Sequence, residues 1–597
     1  MAFQLSPGIN ISEIDLTTVV PAVATTEGAM VGVFRWGPTD ERVLISSEIE
    51  LVSTFGRPYA NTSWQNYETF FTGANFLSYS DALYVTRVVD ATANTATDGT
   101  NFNAAYPGAL GNEIEVATCD ANTFAASTFA GTIEIDASAR EGSVIRADSN
   151  DITEFVVGDT IIVDGQELTV ATVGTAAQVA NTADYETVVT FENKYVSATN
   201  FTGSFDHQWG FANIFDAAPS TGHLHVVVVD KAGVFTDTGV KTVVELYSNL
   251  STTPGAKRSD GASNFIDTVL EQRSNTIRVK TSGTYPSGAG YIALAGGLDG
   301  LSETASGMVG AIAQGWDLYK SKEDVDVSLL LNGAPISLAL TNYIIDSVAE
   351  YRKDCVAFVT PPVTQKDAHT AQEVVTATDG MSASSYVVVD SGFKYQYDKY
   401  NDVYRWIPLN GDVAGLCART DDERDPWFSP AGYQRGSVKN VVKLALNPNR
   451  TERDLLYKNY INPVVTQPGQ GTVLFGDKTF QGTPSAFDRI NVRRLFIVLE
   501  KAIEVASKTT LFEFNDEFTR AQFVNLVEPF LRDVQGRRGI YDFRVVCDET
   551  NNTGQVIDSN QFVGDIYIKP ARSINFIQLN FVAVRSGVEF SEIVGQV

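Results

Sequence analysis

The sequence predicts an α+β protein of several domains. The chain has 597 residues, about four times the length of a typical domain. Hydrophobic residues make up 44% and charged residues 19%, a composition typical of globular proteins. The residue pattern also changes along the chain. Short β-branched runs dominate residues 91–300, whereas helical and strand patterns alternate from 307 to 420.

Residues 1–23 are predicted to form an extended arm. A turn at residues 6–8 precedes an alternating pattern in which Ile9, Ile11 and Glu13 share one face. A lone terminal strand leaves its backbone groups unpaired unless it joins a sheet edge. The arm is therefore either frayed or adds to another sheet.

The next part of the chain mixes strands and helices. Strands are expected at 29–34 and 83–89, with a helix around 64–77. Further on, an α/β layer is predicted, with helices at 307–320 and 338–351 and strands at 325–331, 356–360 and 384–390.

The intervening region predicts antiparallel β structure. Its short β-branched runs lie at residues 132–135, 160–163, 187–191 and 225–229. Residues 120–205 are poor in Lys and rich in Thr and Asp, which indicates an inserted, exposed module.

Beyond residue 431 helices come first and strands last, which predicts an α+β domain. Helices are expected near 436–446, 451–460, 486–508 and 516–534, and strands at 540–547, 562–569 and 573–584.

The charge of the chain is unevenly distributed. Residues 431–597 carry 20 basic and 18 acidic residues, whereas residues 1–430 carry 24 and 54, which together give the net charge of −28. Such acidity argues against direct nucleic-acid binding. It fits a solvated acidic exterior with a C-terminal part that meets an acidic partner, although solubility alone explains it equally well.

The sequence predicts a location in the cytosol, without membrane insertion. No run of about 18 apolar residues is present, and the N-terminus lacks the features of a secretory signal. Cys119, Cys355, Cys417 and Cys547 are far apart and lie among apolar neighbours, so we expect buried free thiols.

No motif predicts catalysis, a metal or a cofactor. His223 and His225 have the spacing of two metal ligands, but no third ligand is apparent nearby. Residues 471–479 resemble a phosphate-binding loop, but Asp477 separates the glycine from Lys478, so a turn with an ion pair is favoured. The acidic run at 421–425 is interpreted as a solvated loop.

One predicted helix carries an unusual set of cations. Ser485 and Asp488 have the spacing of a capping box, and apolar residues then recur at helical spacing. Basic side chains near a helix N-terminus oppose the helix dipole, so an acidic partner should meet them. That partner is either local, such as Asp488 or Glu500, or another protein. The cations are Arg489, Arg493, Arg494, Lys501 and Lys508.

At these residues the sequence resembles the contractile tail sheath proteins of myovirus-type bacteriophages. The resemblance covers roughly residues 1–120 and 290–597. It is carried by the strings at 6–9 (SPGI, with Glu13), 34–38 (FRWGP), 394–402 (KYQYDKYND), 405–409 (RWIPL), 415–420 (GLCART), 429–433 (SPAGY), 473–479 (VLFGDKT), 487–496 (FDRINVRRLF), 548–553 (DETNNT) and 569–575 (KPARSIN).

The resemblance implies a structural subunit of the virion, not an enzyme, assembled in the host cytoplasm. Such subunits stack as hexameric rings around the inner tail tube, between baseplate and tail terminator. On a baseplate signal they move into a shorter, wider helix that drives the tube through the host envelope. The energy is stored at assembly, so no cofactor is expected.

The resemblance also implies the domain order. We expect an arm at 1–23, a middle α/β domain at 24–90 with 300–430, and an outer β domain at 91–119 with 206–299. The inserted β module is placed at 120–205 and an inner, tube-facing α+β domain, completed by the N-terminal arm, at 431–597.

Arms from both termini are expected to add strands to neighbouring subunits. The candidate residues are Ile9, Ile11 and Glu13 at one end and Phe576, Ile577, Leu579, Phe581 and Val582 at the other. The five cations named above are the candidates for contact with the tube.

Two alternatives remain open at this stage. One is the sheath of a phage-derived contractile injection device, such as a bacteriocin or secretion system. The other is a glycan-binding β protein that uses residues 91–300.

Overall fold

The computed structural model describes residues 24–125, 131–147, 152, 157–180, 182–286, 291–575 and 578. Helices and sheets pack around several separate hydrophobic cores, so the mixed α and β class is confirmed. None of the helices in this described part is both long and apolar enough to span a bilayer.

The largest core surrounds a seven-stranded sheet that is parallel except for one edge strand. Its strands are almost continuously apolar, as expected for a parallel sheet covered on both faces. All five predicted strands of this region are present, although each is shorter than predicted. The strands, in order across the sheet, are Val43–Ile45, Leu83–Arg87, Gly28–Gly32, Leu329–Leu331, Val356–Val359, Val387–Asp390 and Ile461–Asn462.

Helices connect the strands of this sheet. The predicted helices near 64–77, 307–320 and 338–351 are present with shorter bounds, and the last continues through a π-helical turn, Ile345–Ala349, into Glu350–Arg352. The helices are Glu48–Phe55, Tyr67–Leu77, Met308–Asp317, Leu338–Ile344, Ala371–Ala377, Asn410–Glu423 and Arg450–Lys458.

Between residues 102 and 293 the named strands pair antiparallel, as predicted. A four-stranded sheet has the order Thr242–Ser251, His223–Asp230, Ile114–Cys119 and Ile292–Ala293, and a two-stranded sheet pairs Phe102–Ala104 with Ile277–Val279. The short helices here are Ala109–Glu113 (3₁₀), Ala121–Ala125, Phe211–Ile214 and Ile266–Arg273.

A separate sheet is built from residues 132–207 alone. It has its own apolar core, which includes Ile133, Val144, Leu168 and Val189. In order, its strands are Phe201–Gly203, Thr132–Ile135, Glu141–Arg146, Tyr185–Phe191, Gln166–Val173, Thr160–Val163 and Asp206–His207, and Ala177–Gln178 pairs with Tyr185–Phe191.

The C-terminal part places two long helices beside small sheets. The helix predicted at 436–446 is wrong, because this segment is extended and its strand Lys443–Leu444 pairs with Phe393–Asp398. The helices are Ile490–Ser507, Lys508–Thr510 (3₁₀), Glu517–Gly536 and Gly554–Asp558. One small sheet has three strands, in the order Val403–Pro408, Phe393–Asp398 and Lys443–Leu444. The other two sheets each have two strands, Val464–Gln467 with Gly471–Leu474 and Ile540–Val546 with Asp565–Pro570.

The buried carboxyl of Asp390, at the end of a central strand, predicts a pH dependence of stability. Burial raises its pKa to about 8. The hydrogen bonds that it accepts from Thr360 Oγ1 (2.6 Å) and Gly392 N (2.8 Å) act in the opposite direction and lower the pKa. The unfolded carboxyl ionises near pH 4, so between about pH 4 and 8 the folded state retains a proton that the unfolded state has lost. This group therefore lowers stability as pH rises, by up to about 1.4 kcal/mol per unit.

We expect Asp390→Asn to remove this contribution and to flatten the dependence of the urea unfolding midpoint between about pH 4 and 8. Asp542→Asn, which changes an exposed carboxyl, is the control and should leave the wild-type slope unchanged. An unchanged slope in the Asp390 variant would contradict the assignment.

Candidate functional site at the roots of the two terminal segments

The helix Ile490–Ser507, here called the junction helix, carries most of the predicted cations. Its apolar stripe, which includes Val492, Leu495 and Leu499, is buried as the periodicity predicts. The predicted capping box is wrong, because the helix begins five residues after Ser485. The Oγ atom of Ser485 instead accepts a hydrogen bond from the backbone N–H of Phe487 (3.1 Å).

Arg494 joins the junction helix to the middle of the chain. Its guanidinium forms a bidentate ion pair with Asp421 on helix Asn410–Glu423, with Nη1 2.7 Å from Oδ1. Both side chains are only 4% exposed. Burial raises the pKa of Asp421, although the positive charge of Arg494 acts to lower it. The prediction of a solvated loop at 421–425 is therefore wrong, because acidic side chains of this run are buried partners of arginine side chains.

The first described residues of the chain are held by the partners of the same helix. Thr25 donates a side-chain hydrogen bond to Asp421, and the Oγ of Ser328 donates to the carbonyl of Ala24 (3.2 Å). Ser328 Oγ in turn accepts from Lys501 Nζ (3.0 Å). Residues 24–25, with these partners, are here called the N-terminal root.

The end of the described chain is held at the other end of the junction helix. The two carboxylate oxygens of Asp477 accept hydrogen bonds from Ser573 Oγ (2.7 Å), Asn575 Nδ2 (3.1 Å) and Ser429 Oγ (3.0 Å). Arg489, at the start of the helix, pairs with the same carboxylate at 2.9 Å. Residues 571–575, with these partners, form the C-terminal root.

The charge of Asp477 is stabilised despite its burial. Burial acts to raise its pKa, but the hydrogen bonds from Ser573, Asn575 and Ser429 and the charge of Arg489 outweigh burial, so its pKa lies below the usual value. Burial and the Asp477 charge raise the pKa of the neighbouring Tyr457 to about 12. The carboxylate therefore stays ionised near neutral pH. The ion pair predicted at 471–479 is present, with Arg489 as the partner of Asp477, but the predicted turn is wrong for residues 471–474, which form a strand.

The structure corrects the predicted row of exposed cations. Arg493, Arg494 and Lys501 are buried, and Arg489 is half-buried. Arg493 lies over the rings of Tyr386 and Phe487, and its Nη2 is 3.5 Å from Glu500. Lys501 Nζ is 2.6 Å from Asp326. Lys508 alone of the five is exposed.

These cations point inward because most of their acidic partners are distant in sequence. Asp326 and Asp421 lie about 175 and 73 residues away from their partners. The local candidates Asp488 and Glu500 do lie near two of the cations, 3.7 Å from Arg489 and 3.5 Å from Arg493, but sequence spacing gave no indication of the distant acids. The proposed strand-exchange residues Ile9, Ile11, Glu13, Phe576, Ile577, Leu579, Phe581 and Val582 lie outside the described residues.

A two-stranded ribbon lies next to the C-terminal root. Strands Ile540–Val546 and Asp565–Pro570 pair with each other, and among the described residues no third strand joins them. One face packs on helix Glu517–Gly536 through side chains such as Phe543 and Ile566. The backbone of Ala571 links the ribbon to the root, since its N–H bonds Gly539 O (3.0 Å). Both outer edges of this ribbon can accept a further strand.

The predicted histidine pair does not share a ligand site. His225 is buried, stacks on Phe215 and bonds the carbonyl of Ala217 (2.8 Å). Within the described ranges, no group of three His, Cys, Asp or Glu side chains is arranged to hold a metal. All four cysteines are buried and free, as predicted.

Comparison with known proteins gives one consistent family. A family model for the phage tail sheath protein central domain matches residues 312–480, and one for the phage tail sheath C-terminal domain matches 483–583. The tail sheath protein of Vibrio phage KVP40 is 36% identical over 99% of this chain and 100% of its own length. That of Enterobacteria phage T4 is 34% identical over 99% of both.

A solved structure shares the fold. The crystal structure of a sheath tail protein from Listeria innocua aligns with 92% of this chain and 96% of its own, with a TM-score of 0.50 and 11% identity. At this identity the match concerns the fold alone.

The Arg494–Asp421 pair predicts a large cost for removing one partner. Asp421→Ala leaves a buried, uncompensated guanidinium, so we expect a loss of about 3–5 kcal/mol in unfolding free energy. Combining Asp421→Leu with Arg494→Met should recover most of it, because no charge is then left buried. Arg532→Ala, which breaks an exposed pair with Glu528, is the control and should cost less than about 1 kcal/mol. Equal costs for the exposed and buried pairs, measured by urea denaturation, would contradict this.

The C-terminal root predicts a second effect. Asp477→Ala removes the shared acceptor of Ser573 and Asn575, so we expect residues after 570 to detach while the fold remains. Trypsin should then cut at Arg572 at a rate at least several times that of the wild type, as followed by mass spectrometry. Asp488→Ala removes a carboxyl 3.7 Å from Arg489, the arginine that pairs with Asp477, and is the control. Equal cleavage rates in both variants would contradict an anchoring role.

Proposed function

The chain belongs to the phage tail sheath protein family, and from this premise we propose how it works as a structural subunit of a contractile phage tail. In this proposal the subunits polymerise as stacked hexameric rings around the inner tail tube, between baseplate and tail terminator. Assembly takes place in the host cytoplasm. A baseplate signal then moves the subunits into a shorter, wider helix that drives the tube through the host envelope.

The observation that carries this proposal is the position of the two roots. The N-terminal root and the C-terminal root are both bonded to the junction helix or to its ion-pair partners. The described residues that adjoin both terminal segments are therefore anchored to one structural unit, which supports the exchange of two arms with neighbouring subunits.

The adjacent ribbon supports strand exchange. An isolated two-stranded sheet is only marginally stable, and a third or fourth strand would complete it. We infer that the arms of neighbouring subunits add to its two edges, with Ile9, Ile11 and Glu13 in the N-terminal strand. Phe576, Ile577, Leu579, Phe581 and Val582 belong to the C-terminal strand. Main-chain hydrogen bonds then give affinity, and alternating side chains give register.

The buried cations take a different role in this proposal from the one predicted. Arg489, Arg494 and Lys501 hold the two roots, so the arms can bear strain without pulling out of the subunit. Among the five, Lys508 remains the candidate for a contact with the tube, because its exposed charge is free to meet an acidic surface.

Of the two alternatives, the phage-derived device differs only in setting, and the full-length phage relatives favour a phage tail. The same relatives do not favour the alternative of a glycan-binding β protein that uses residues 91–300.

The proposal predicts the effect of removing the N-terminal arm. Deletion of residues 1–22 leaves the N-terminal root intact, so we expect a folded, soluble monomer with an unchanged thermal transition. It should not polymerise, because its neighbours receive no strand. Negative-stain electron microscopy of the concentrated full-length protein should show hollow, striated tubes, whereas the deletion variant should show dispersed particles.

Tube formation by the deletion variant would refute arm exchange. If the full-length protein fails to form tubes even with the tail tube protein present, the polymerisation proposal itself is refuted.

A further inference from the structure

The connection between the two long C-terminal helices exposes a cluster of large apolar side chains. Residues 508–518, here called the tip, contain Leu511, Phe512, Phe514 and Phe518, all of which are exposed. A cluster of this kind on a soluble protein marks an interaction surface.

The tip is ordered, so the exposure is imposed by the fold. Asp516 caps the following helix by accepting from Thr519 N (2.8 Å), and Asn515 Nδ2 bonds the carbonyl of Gln561 (2.8 Å). The hydroxyl of Thr510 donates to Ser507 O (2.7 Å) at the end of the junction helix. The loop and the two helices therefore hold the aromatic side chains in solvent, where they do not pack against the rest of the chain.

The most exposed of these residues also has an unfavourable backbone. Phe512 has a φ of 71°, in the left-handed region that favours glycine. For a bulky residue this conformation is energetically unfavourable. A residue that is both strained and fully exposed stabilises nothing within its own chain, so its role must lie in contact with another molecule.

The charges of the tip define the chemistry of that molecule. Glu513, Asp516 and Glu517 lie between the apolar residues, and the one cation of the tip, Lys508, precedes the first of them. The partner surface should therefore combine apolar side chains with cations.

The same chain carries such a surface elsewhere. A groove lies between helix Tyr67–Leu77 and strand Phe393–Asp398, and its lining includes Phe71, Tyr397, Lys399 and Val442. Tyr397, Val442 and Lys399 are exposed at its rim. We call it the acceptor groove.

The segment along the rim of the acceptor groove is basic. Residues 435–443 contain Arg435, Lys439 and Lys443 and no acidic residue. Lys443 Nζ lies 4.9 Å from the ring centroid of Tyr395, and Lys439 Nζ lies 4.5 Å from that of Tyr79. The groove thus combines aromatic and aliphatic side chains with the neighbouring cations Lys439 and Lys443, whereas its own Lys399 is paired with Glu48 (3.1 Å).

We propose that the tip of one subunit docks in the acceptor groove of a neighbouring subunit. The two surfaces lie in different parts of the chain, so their contact is heterologous and propagates into an open helical array, as a sheath requires. This inference rests on the proposed polymerisation, and it adds a side-chain contact to the exchange of arms.

Photo-cross-linking tests the position of the contact. Phe512→p-benzoylphenylalanine keeps an aromatic group at the tip, and tubes assembled from mixed ¹⁴N and ¹⁵N subunits separate contacts between subunits from those within one. We expect cross-linked peptides from residues 67–78, 394–408 or 437–446 of a second subunit. Tyr541→p-benzoylphenylalanine, on the exposed face of the ribbon, is the control and should label other peptides.

Three substitutions test the energetics. Phe512→Gly relieves the left-handed strain, so it should leave the monomer at least as stable as the wild type. It should nevertheless raise the critical concentration for tube formation roughly tenfold, because the buried aromatic contact is lost. Glu513→Lys and Lys443→Glu should each raise it roughly two- to fivefold, and their combination should restore the wild-type value.

The outcomes separate this inference from the polymerisation on which it rests. Tubes whose tip cross-links to any other surface, or an unchanged critical concentration in the Phe512→Gly variant, overturn the docking. Full-length protein that forms no tubes with the tail tube protein present overturns polymerisation, and the docking with it.

Discussion

The buried pair between Arg494 and Asp421 fixes the relation between the C-terminal part of the chain and the rest. Two charges that are both 4% exposed tolerate little displacement, because separating them leaves each one buried without a partner. The pair fixes the position of the junction helix relative to helix Asn410–Glu423, which packs on the seven-stranded sheet. Arg494 Nη1 also reaches the carbonyl of Cys417 (3.3 Å), which adds a directional constraint. The positions of both roots depend on this attachment, since one is bonded to Asp421 and the other lies at the start of the same helix.

Sequence reasoning found the elements whose signal is local. The stripe Val492, Leu495 and Leu499 gave the junction helix, and β-branched runs gave the strands at 132–135 and 160–163 with their observed bounds. It failed where tertiary pairing decides the outcome. Residues 436–446 have helical spacing but become an edge strand beside Phe393–Asp398.

The candidate site was only half predictable. Cations at a helix N-terminus indicated that acidic partners exist. Their burial was not predictable, because Arg and Lys side chains are usually exposed. Nothing in the sequence pairs Arg494 with residue 421 or Lys501 with residue 326. The tip shows the converse, because four apolar residues in a stretch of eight suggest a buried segment, and only the left-handed backbone at Phe512 and the surrounding hydrogen bonds show that they are held outside.

The attachment of both roots to one helix has a mechanical consequence. In the proposed lattice, which is linked through the terminal arms, tension would enter and leave each subunit through the short path from Ala24 and Asp421 along the junction helix to Asp477 and Ser573. The sheet formed by residues 132–207 lies outside this load path. It can therefore be enlarged, exchanged or lost in evolution without altering how force passes from one ring to the next.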